Sequence, residues 1–113
     1  MPKILLAEDD PTMVSLLSTL LRMEGIEVVA LEANADVPAA VRKEKPDFVL
    51  MDVHIGKQNG LDILETVRKD PANANVRIVM ASGYNVKEQC LERGANHFLL
   101  KPFMPDDLLK LFK

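Results

Sequence analysis

The chain of 113 residues has the usual size of one domain, and 48% of its residues are hydrophobic, so we expect one domain with a buried core over residues 1–113. Its 14 Lys and Arg against 17 Asp and Glu leave a formal net charge of -3, which indicates no direct nucleic acid binding and no membrane binding. A single cysteine, Cys90, and the lack of a membrane-spanning or signal-peptide pattern favour a cytoplasmic protein.

The chain opens with an apolar run and an acidic loop. Ile4–Ala7 is predicted to be a buried strand, and the loop Glu8–Asp10 follows it with three carboxylates. Asp10 is suited to cap a helix that starts at Pro11, because a missing N–H matters least in the first turn of a helix. Gly25 ends the helical pattern.

A second strand and a weaker helix follow. Residues 26–31 are apolar and β-branched apart from Glu27, which predicts a strand nearer the edge of the sheet. The next helix has two candidate caps, Asn34 and Asp36, and only a thin apolar face. Residues 43–46 close this helix.

The apolar run Phe48–Asp52 is where we place the chemistry. A run without alternation is typical of a strand that is buried on both faces, in the middle of a parallel sheet. The carboxylate of Asp52 at its end costs solvation unless a cation or hydrogen-bond donors meet it. Ligands in such sheets bind at the carboxyl ends of the strands, so the other strand ends must supply those partners.

The middle of the chain continues the same alternation. We predict a loop at residues 53–59 and then a third helix that runs to about Lys69. A polar connection leads to a fourth buried strand at residues 76–80, which ends at Ser82-Gly83.

The last elements complete the pattern. Asn85 and Glu88 predict a capping box for a fourth helix, which ends at Gly94. His97–Leu100 is a fifth strand, and Pro105 opens a last helix that reaches the end of the chain. Five strand–helix repeats predict an α/β fold with a doubly wound five-stranded parallel sheet and helices on both faces.

Polar side chains follow four of the five strands. They are Glu8 and Asp9 after the first, Asp52 after the third, Ser82 after the fourth and Lys101 after the fifth. If the strand order is 2-1-3-4-5, the first and third strands are neighbours where the winding reverses, so their three carboxylates share one crevice. The second strand contributes nothing polar of note.

Three carboxylates in one crevice need a cation, because each close pair repels by about 4 kcal/mol at intermediate dielectric. Oxygen ligands without His or Cys favour Mg2+, with Mn2+ as an alternative. Asp52 could then attack phosphorus as a nucleophile and form an acyl phosphate. The ammonium of Lys101 and the hydroxyl of Ser82 would answer the charge on the phosphoryl oxygens.

Across essentially its whole length, the chain resembles the receiver domain of two-component response regulators. The resemblance rests on motifs in the order and spacing of that family, namely Glu8-Asp9, Asp52, Gly60, Ser82-Gly83, Gly94-Ala95 and Lys101-Pro102-Phe103. It implies a flavodoxin-like fold with strand order 2-1-3-4-5.

The resemblance also implies a role for each site residue. It makes Asp52 the phosphoacceptor and a metal ligand, Asp9 a direct Mg2+ ligand, Glu8 a ligand acting largely through water, and the His54 backbone carbonyl a third protein ligand. It makes Ser82 and Lys101 the phosphoryl-binding groups, and Ser82 and Phe98 the switch residues. It also makes the Lys101-Pro102 peptide bond cis.

Several positions depart from the commonest pattern of the family. Gly56 stands where a proline is frequent, which we expect to loosen its loop, and Gln58 with Asn59 replaces a frequent apolar-acid pair. Met104 replaces a capping Ser or Thr, so we expect a frayed start of the last helix. Phe98 replaces a frequent tyrosine, and without a hydroxyl we expect its ring to turn inward even without phosphate.

The resemblance thus predicts a phosphorylation-dependent signalling switch. A histidine kinase or a histidine phosphotransfer protein would supply the phosphoryl group to Asp52 in a Mg2+-dependent reaction. The face of the fourth helix, fifth strand and fifth helix would then change and control a downstream protein or an output domain, with a homodimer left open. Self-phosphorylation and self-dephosphorylation are the only reactions expected, so we do not expect an enzyme that acts on outside substrates.

Two other functions compete with this interpretation. A Mg2+-dependent phosphatase of the haloacid-dehalogenase type also uses an aspartate nucleophile after a strand, but it needs a second aspartate where this chain has His54. A flavodoxin-like FMN carrier needs a phosphate-binding first loop rich in Gly, Ser and Thr, and the acidic loop Glu8–Asp10 stands in its place.

Overall fold

The computed structural model describes residues 2–112, so Met1 and the end of the last predicted helix at Lys113 lie outside the described residues. Five strands form one parallel sheet, and they are β1 (Lys3–Ala7), β2 (Glu27–Ala30), β3 (Phe48–Asp52), β4 (Arg77–Ser82) and β5 (His97–Leu100). Their order is β2-β1-β3-β4-β5, which confirms the predicted flavodoxin-like topology with strand order 2-1-3-4-5.

Within residues 2–112, five helices cover the two faces of this sheet. They are α1 (Pro11–Met23), α2 (Val37–Glu44), α3 (Gly60–Lys69), α4 (Lys87–Glu92) and α5 (Pro105–Leu109), with 3-10 turns at Pro71–Asn73 and Lys110–Phe112. Among residues 2–112, no helix combines the length and the apolar composition that crossing a membrane requires.

The core consists of two apolar layers, one on each face of the sheet. Met51 and Leu64 belong to the layer under α2, α3 and α4, whereas Leu50 and Leu21 belong to the layer under α1 and α5. Successive residues of β3 thus enter opposite layers, which explains why its sequence is apolar without alternation. Each such large side chain contributes about 1.5–3 kcal/mol by leaving water.

The first two helices begin at aspartate caps. The Asp10 carboxylate accepts hydrogen bonds from the backbone N–H groups of Thr12 and Met13 at 3.0 and 3.4 Å. For α2, the structure selects Asp36 between the two candidate caps, since its carboxylate accepts from the Ala39 N–H at 3.1 Å. Both helices therefore start where a side-chain oxygen satisfies free backbone donors.

The predicted loop at residues 53–59 was partly wrong. His54–Ile55 and Gln58–Asn59 form a two-residue antiparallel ladder, hereafter the hairpin. Burial explains the ladder, because Ile55 is fully buried while the flanking Gly56 and Lys57 stay exposed. Such a short ladder has no periodicity of its own, so the sequence pattern could not reveal it.

The predicted cap of α4 was also wrong, whereas α5 begins at Pro105 as predicted. The N-cap of α4 is Val86, and Asn85 accepts only from the Lys87 N–H, so no capping box with Glu88 forms. The start of α5 is not left unpaired, because the N–H of Met104 donates to the carboxylate of Asp107 at 2.9 Å. An acidic side chain at the third helical position thus replaces half of the missing cap.

Candidate functional site

The register of the sheet brings four strand ends to one edge. Ala7 of β1 lies opposite Met51 of β3, so the residues after Ala7 lie beside Asp52. Asp52 lies opposite Ala81 of β4, and Ser82 lies opposite Leu100 of β5. The carboxyl ends of β1, β3, β4 and β5 therefore surround one cleft, as expected for a doubly wound sheet.

Three carboxylates gather in this cleft. Glu8, Asp9 and Asp52 each offer one carboxylate oxygen, and these oxygens lie within 4.8 Å of one another. Glu8 and Asp52 are buried with 4% and 9% of their surface exposed, whereas Asp9 is exposed. At such distances each pair of negative charges repels by a few kcal/mol, about 4 at an effective dielectric of 20, so the cluster needs positive charge.

Lys101 supplies one positive charge directly. Its Nζ atom donates to Glu8 Oε2 at 2.6 Å and to Asp52 Oδ2 at 2.8 Å, so the ammonium bridges the two buried carboxylates. Its backbone N–H donates to the carbonyl of Ser82 at 2.8 Å, which fixes the end of β5 against β4. The peptide bond Lys101-Pro102 is cis, as predicted.

The pKa values record the balance of burial and charge in the cleft. Burial raises the pKa of Asp52 to about 6, and the Glu8 charge adds to this effect while the Lys101 ammonium opposes it. Burial acts to lower the pKa of Lys101, but the hydrogen bonds and charges of Asp52 and Glu8 together hold it above its ordinary value. The single ammonium of Lys101 therefore does not balance the negative charge of the three carboxylates in the cleft.

Ser82 and Phe98 lie on the β4 and β5 side of the cleft. Ser82 is 4% exposed, and its hydroxyl oxygen accepts from the Tyr84 N–H at 3.1 Å. Phe98 is half-buried and packs against the apolar layer under α2, α3 and α4, so its ring does not lie in solvent. The roles of these two residues in phosphoryl binding and switching stay predictions.

Gly60 sets the distance between α3 and the end of β3. Its N–H donates to the Val53 carbonyl at 2.6 Å, and a Cβ at this position would lie 2.8 Å from that carbonyl oxygen and also meet the backbone of Asp52. Any side chain here would have to displace the backbone that carries Asp52. Glycine is therefore required at position 60 by close packing.

The expected loosening at Gly56 stays a prediction, and the structure shows a contact there that ties the hairpin to the acidic loop. The Gly56 N–H donates to Asp9 Oδ2 at 2.8 Å, a bond that a proline could not make. The side-chain amide of Gln58 donates to the backbone carbonyls of Ala33 and Ala35 at 2.9 and 3.0 Å. The hairpin is thus fixed to Asp9 on one side and to the segment after β2 on the other.

These contacts are the part of the site that the sequence missed. The segment after β2 was predicted to contribute nothing polar, yet two of its backbone carbonyls hold Gln58. A glutamine in place of an apolar residue was a visible signal, but its partners lie 25 and 23 residues away along the chain. The His54 side chain is exposed, and the role of its backbone carbonyl as a metal ligand stays a prediction.

The donor set of the cleft fits a hard divalent cation. Its candidate ligands are carboxylate oxygens, without the thiolate or imidazole ligands that favour zinc or copper. A cavity of about 970 Å3 lies at the opposite ends of the strands, where Phe48, Val76 and Phe112 line it. That cavity contains none of the predicted site residues, so the acidic cleft is the candidate site.

Comparisons with known proteins match the chain to the family that its sequence resembles. The family model described as "Response regulator receiver domain" matches residues 4–113. The DNA-binding response regulator MtrA of Mycolicibacterium smegmatis is 33% identical over 110 residues, which cover 95% of this chain and 47% of MtrA. The chain therefore spans about half the length of this curated relative.

Two solved structures resemble this one over nearly its whole length. The chemotaxis response regulator CheY4 of Vibrio cholerae has a TM-score of 0.90 and 26% identity, and the match covers 99% of this chain and 96% of that one. The receiver domain of the sensor histidine kinase PA1611 of Pseudomonas aeruginosa PAO1 has a TM-score of 0.80 and 28% identity, covering 97% and 93%. That domain was solved with a magnesium ion coordinated in its active site cleft.

Proposed function

Because this chain belongs to the family of response regulator receiver domains, we propose that it is a phosphorylation-controlled switch that accepts a phosphoryl group on Asp52. The observation that carries the proposal is the cleft itself, where a buried carboxylate at the end of β3 lies between two further acids and one amine. Phosphoryl transfer needs a nucleophile beside positive charge, and the cleft supplies Asp52 as the nucleophile and the Lys101 ammonium as part of that charge.

In the proposed reaction, a carboxylate oxygen of Asp52 attacks the phosphorus of a phosphohistidine on the donor protein. The new P–O bond forms as the P–N bond breaks, and the imidazole nitrogen keeps the bonding electron pair. Asp52 needs no general base, because with a pKa of about 6 it is largely ionised at neutral pH. The Lys101 ammonium already donates a hydrogen bond to Asp52, and it can donate to a phosphoryl oxygen once the phosphoryl group is bound there.

The proposal includes a divalent cation, Mg2+ or Mn2+, held by Glu8, Asp9, Asp52 and the backbone carbonyl of His54. Such an ion would neutralise carboxylate and phosphoryl charge that Lys101 alone does not balance. The magnesium in the PA1611 receiver domain supports this part of the proposal, as does the all-oxygen donor set of the cleft. Glu8 is half of the Lys101 bridge, so its carboxylate must serve both the amine and the ion.

We further propose that the signal leaves the cleft on the β4 and β5 side. The Ser82 hydroxyl would turn from the Tyr84 N–H toward a phosphoryl oxygen, and Phe98 would move with it. Three apolar side chains on this side are already exposed, Leu91 at 39%, Leu100 at 50% and Met104 at 68%. They give the α4, β5 and α5 face the apolar surface that a partner would cover.

The partners on each side of this signal are also proposals. A histidine kinase or a histidine phosphotransfer protein is the proposed donor, and a downstream protein, an output domain or a second copy is the proposed receiver of the signal. MtrA is a DNA-binding regulator about twice the length of this chain, which supports an output domain as one outcome. A cytoplasmic location is part of the same proposal.

Intact-mass measurement tests the central step. We expect the chain, incubated with Mg2+ and acetyl phosphate, to gain one phosphoryl group, and Asp52→Ala to gain none. Asp62→Ala, which changes an exposed acid on α3, is the matched control and should be phosphorylated like the parent chain. Phosphorylation of Asp52→Ala to the same extent would contradict the proposal.

We also propose that the chain does not hydrolyse outside phosphate esters as a true enzyme. The position two residues after Asp52 holds His54, where a haloacid-dehalogenase phosphatase needs an aspartate acid–base. With excess p-nitrophenyl phosphate and Mg2+, we expect phosphate release no faster than the decay of the phosphorylated chain. Sustained turnover above that decay rate would favour the phosphatase instead.

A further inference from the structure

We propose that Gln58 is a positioning residue of the metal site, which acts by holding the hairpin so that Gly56 orients the carboxylate of Asp9. The inference rests on the proposed function, since it concerns how the cleft binds its cation. It assigns a role to the side chain of Gln58 and to the segment after β2, residues 31–36, neither of which belongs to the carboxylate cluster of the cleft.

Gln58 is built into the fold by two hydrogen bonds. Its Nε2 atom donates to the carbonyl of Ala33 at 2.9 Å and to that of Ala35 at 3.0 Å, and the side chain is half-buried. An amide nitrogen has two N–H donors, so both are used. The hairpin and the segment 31–36 are thereby joined at a fixed distance.

Gly56 lies against the same segment. A Cβ on Gly56 would lie 2.9 Å from the Ala33 carbonyl oxygen and 3.1 Å from the Ala33 Cβ, so the two backbones are in direct contact. Its φ of 57° is left-handed, a conformation that glycine adopts without strain. The turn of the hairpin therefore rests on Ala33 beside the carbonyl that binds Gln58.

The same turn reaches the acidic cleft. The Gly56 N–H donates to Asp9 Oδ2 at 2.8 Å, and this bond to a charged acceptor is of the stronger, charge-assisted kind. Asp9 is exposed, so without this bond its carboxylate would rotate freely. An N–H that fixes the plane of a ligating carboxylate is an outer-shell contact, and removing such contacts costs about 10–100-fold in metal affinity.

Gln58 is one step further from the ion, so we expect a smaller effect from its loss. Gln58→Met keeps the length of the side chain but removes both donors. We expect Mg2+ affinity to fall about three- to tenfold, below the range for direct outer-shell partners. The fold should persist, because Ile55 stays buried and Asn59 still caps α3 through the Leu61 N–H at 2.9 Å.

The experiment compares the parent chain, Gln58→Met, Gln58→Ala and the control Gln89→Met. Gln89 is an exposed glutamine on α4, away from the acidic cleft. Mg2+ dissociation constants are measured by calorimetric titration, and the Gly56 amide of the metal-free chain is followed by hydrogen exchange. We expect both Gln58 variants to bind Mg2+ more weakly and to exchange the Gly56 amide faster, with Gln89→Met unchanged in both.

The outcomes separate this inference from the proposed function. A parent chain that binds no Mg2+ at millimolar concentration overturns the proposed cation and with it this inference. A parent chain that binds Mg2+ while both Gln58 variants bind it equally well overturns the role of Gln58 alone. Weaker binding with an unchanged Gly56 amide also overturns it, because the route through Gly56 to Asp9 would then be wrong.

Discussion

The two sides of the cleft around Asp52 are built differently. On one side, residues 53–60, here the anchored wall, are held by the Gly60 to Val53 hydrogen bond, the Gln58 amide and the buried Ile55. On the other side, residues 83–86, here the open wall, include Tyr84, which is 76% exposed. They lead into α4, which begins without a side-chain cap.

The difference assigns different tasks to the two walls. The anchored wall adjoins Asp9 and the candidate metal ligands, whose geometry must be fixed before an ion binds. The open wall adjoins Ser82, which must move if the cleft is to report a phosphoryl group. Segments that move in switching are drawn from the least stable parts of a fold, and the open wall has that character.

The largest expected difference between the two walls is the loss of unfolding free energy when a glycine in each wall is replaced by alanine. Gly60→Ala would place its Cβ against the backbone of Asp52 and Val53, so we expect a loss of about 3 kcal/mol in the free energy of unfolding. Gly83→Ala is the control, because a Cβ there meets no atom within 4 Å. Urea denaturation measures both, and equal losses would mean that the walls do not differ as described.

Removing the charge of Asp52 should stabilise the metal-free chain. Since its pKa is raised to about 6, the folded state binds more protons than the unfolded state between about pH 4 and 6, and the free energy of unfolding falls as pH rises through that window. We expect Asp52→Asn to be more stable above pH 6 by roughly 1–2 kcal/mol, less than the full shift because Glu8 and Lys101 share it.

Urea midpoints at pH 4.5 and pH 8, measured with EDTA present, test this prediction. The advantage of Asp52→Asn should be larger at the higher pH, where the parent carboxylate is ionised. An advantage that is equal at both pH values would show that ionisation is not its cause.

The cap of α3 is a fourth feature that holds the anchored wall. The Asn59 side chain accepts from the Leu61 and Asp62 N–H groups at 2.9 and 3.4 Å, so we expect Asn59→Ala to lose about 1 kcal/mol of unfolding free energy. Asn34→Ala is the matched control, because α2 is capped by Asp36 and not by Asn34. The prediction fails if the two urea midpoints shift equally.

The smallest expected effect is a gain on the side of the open wall. Met104 occupies the N-cap of α5 with extended φ and ψ of -87° and 148°, and its side chain is 68% exposed. Met104→Ser would add the missing cap without loss of packing, so we expect about 0.5–1 kcal/mol of stabilisation. Met23→Ser, at the other end of a helix and 76% exposed, should give no such gain in the same urea measurement.

The fold was predictable because the strands that are buried in the sheet are also the apolar runs of the sequence. Phe48–Asp52 is apolar without alternation, and the structure buries its successive residues in opposite layers. The gathering of Glu8, Asp52 and Lys101 followed from the strand order, since Asp52 ends a strand and the other two come directly after strands. These features depend on local pattern and topology, which a single sequence contains.

The contacts of the anchored wall were not predictable, because they depend neither on local sequence pattern nor on strand order. The contacts of Gln58 with Ala33 and Ala35 join two segments without periodicity, and only the folded backbone brings their carbonyls together. The hydrogen bond from Gly56 to Asp9 uses a backbone N–H, which nearly every residue has, so the residue type at position 56 did not predict it. The local sequence pattern thus located the acidic site, whereas the contacts that support it depend on the tertiary fold.

The sheet ends on both sides in short strands, β2 with Glu27–Ala30 and β5 with His97–Leu100. An edge of four residues exposes few unpaired backbone groups, and brevity of this kind protects edges against strand addition by other chains. A binding partner would then have to recognise side chains instead of lengthening the sheet. The same brevity guards against the growth of fibrillar aggregates from these two edges.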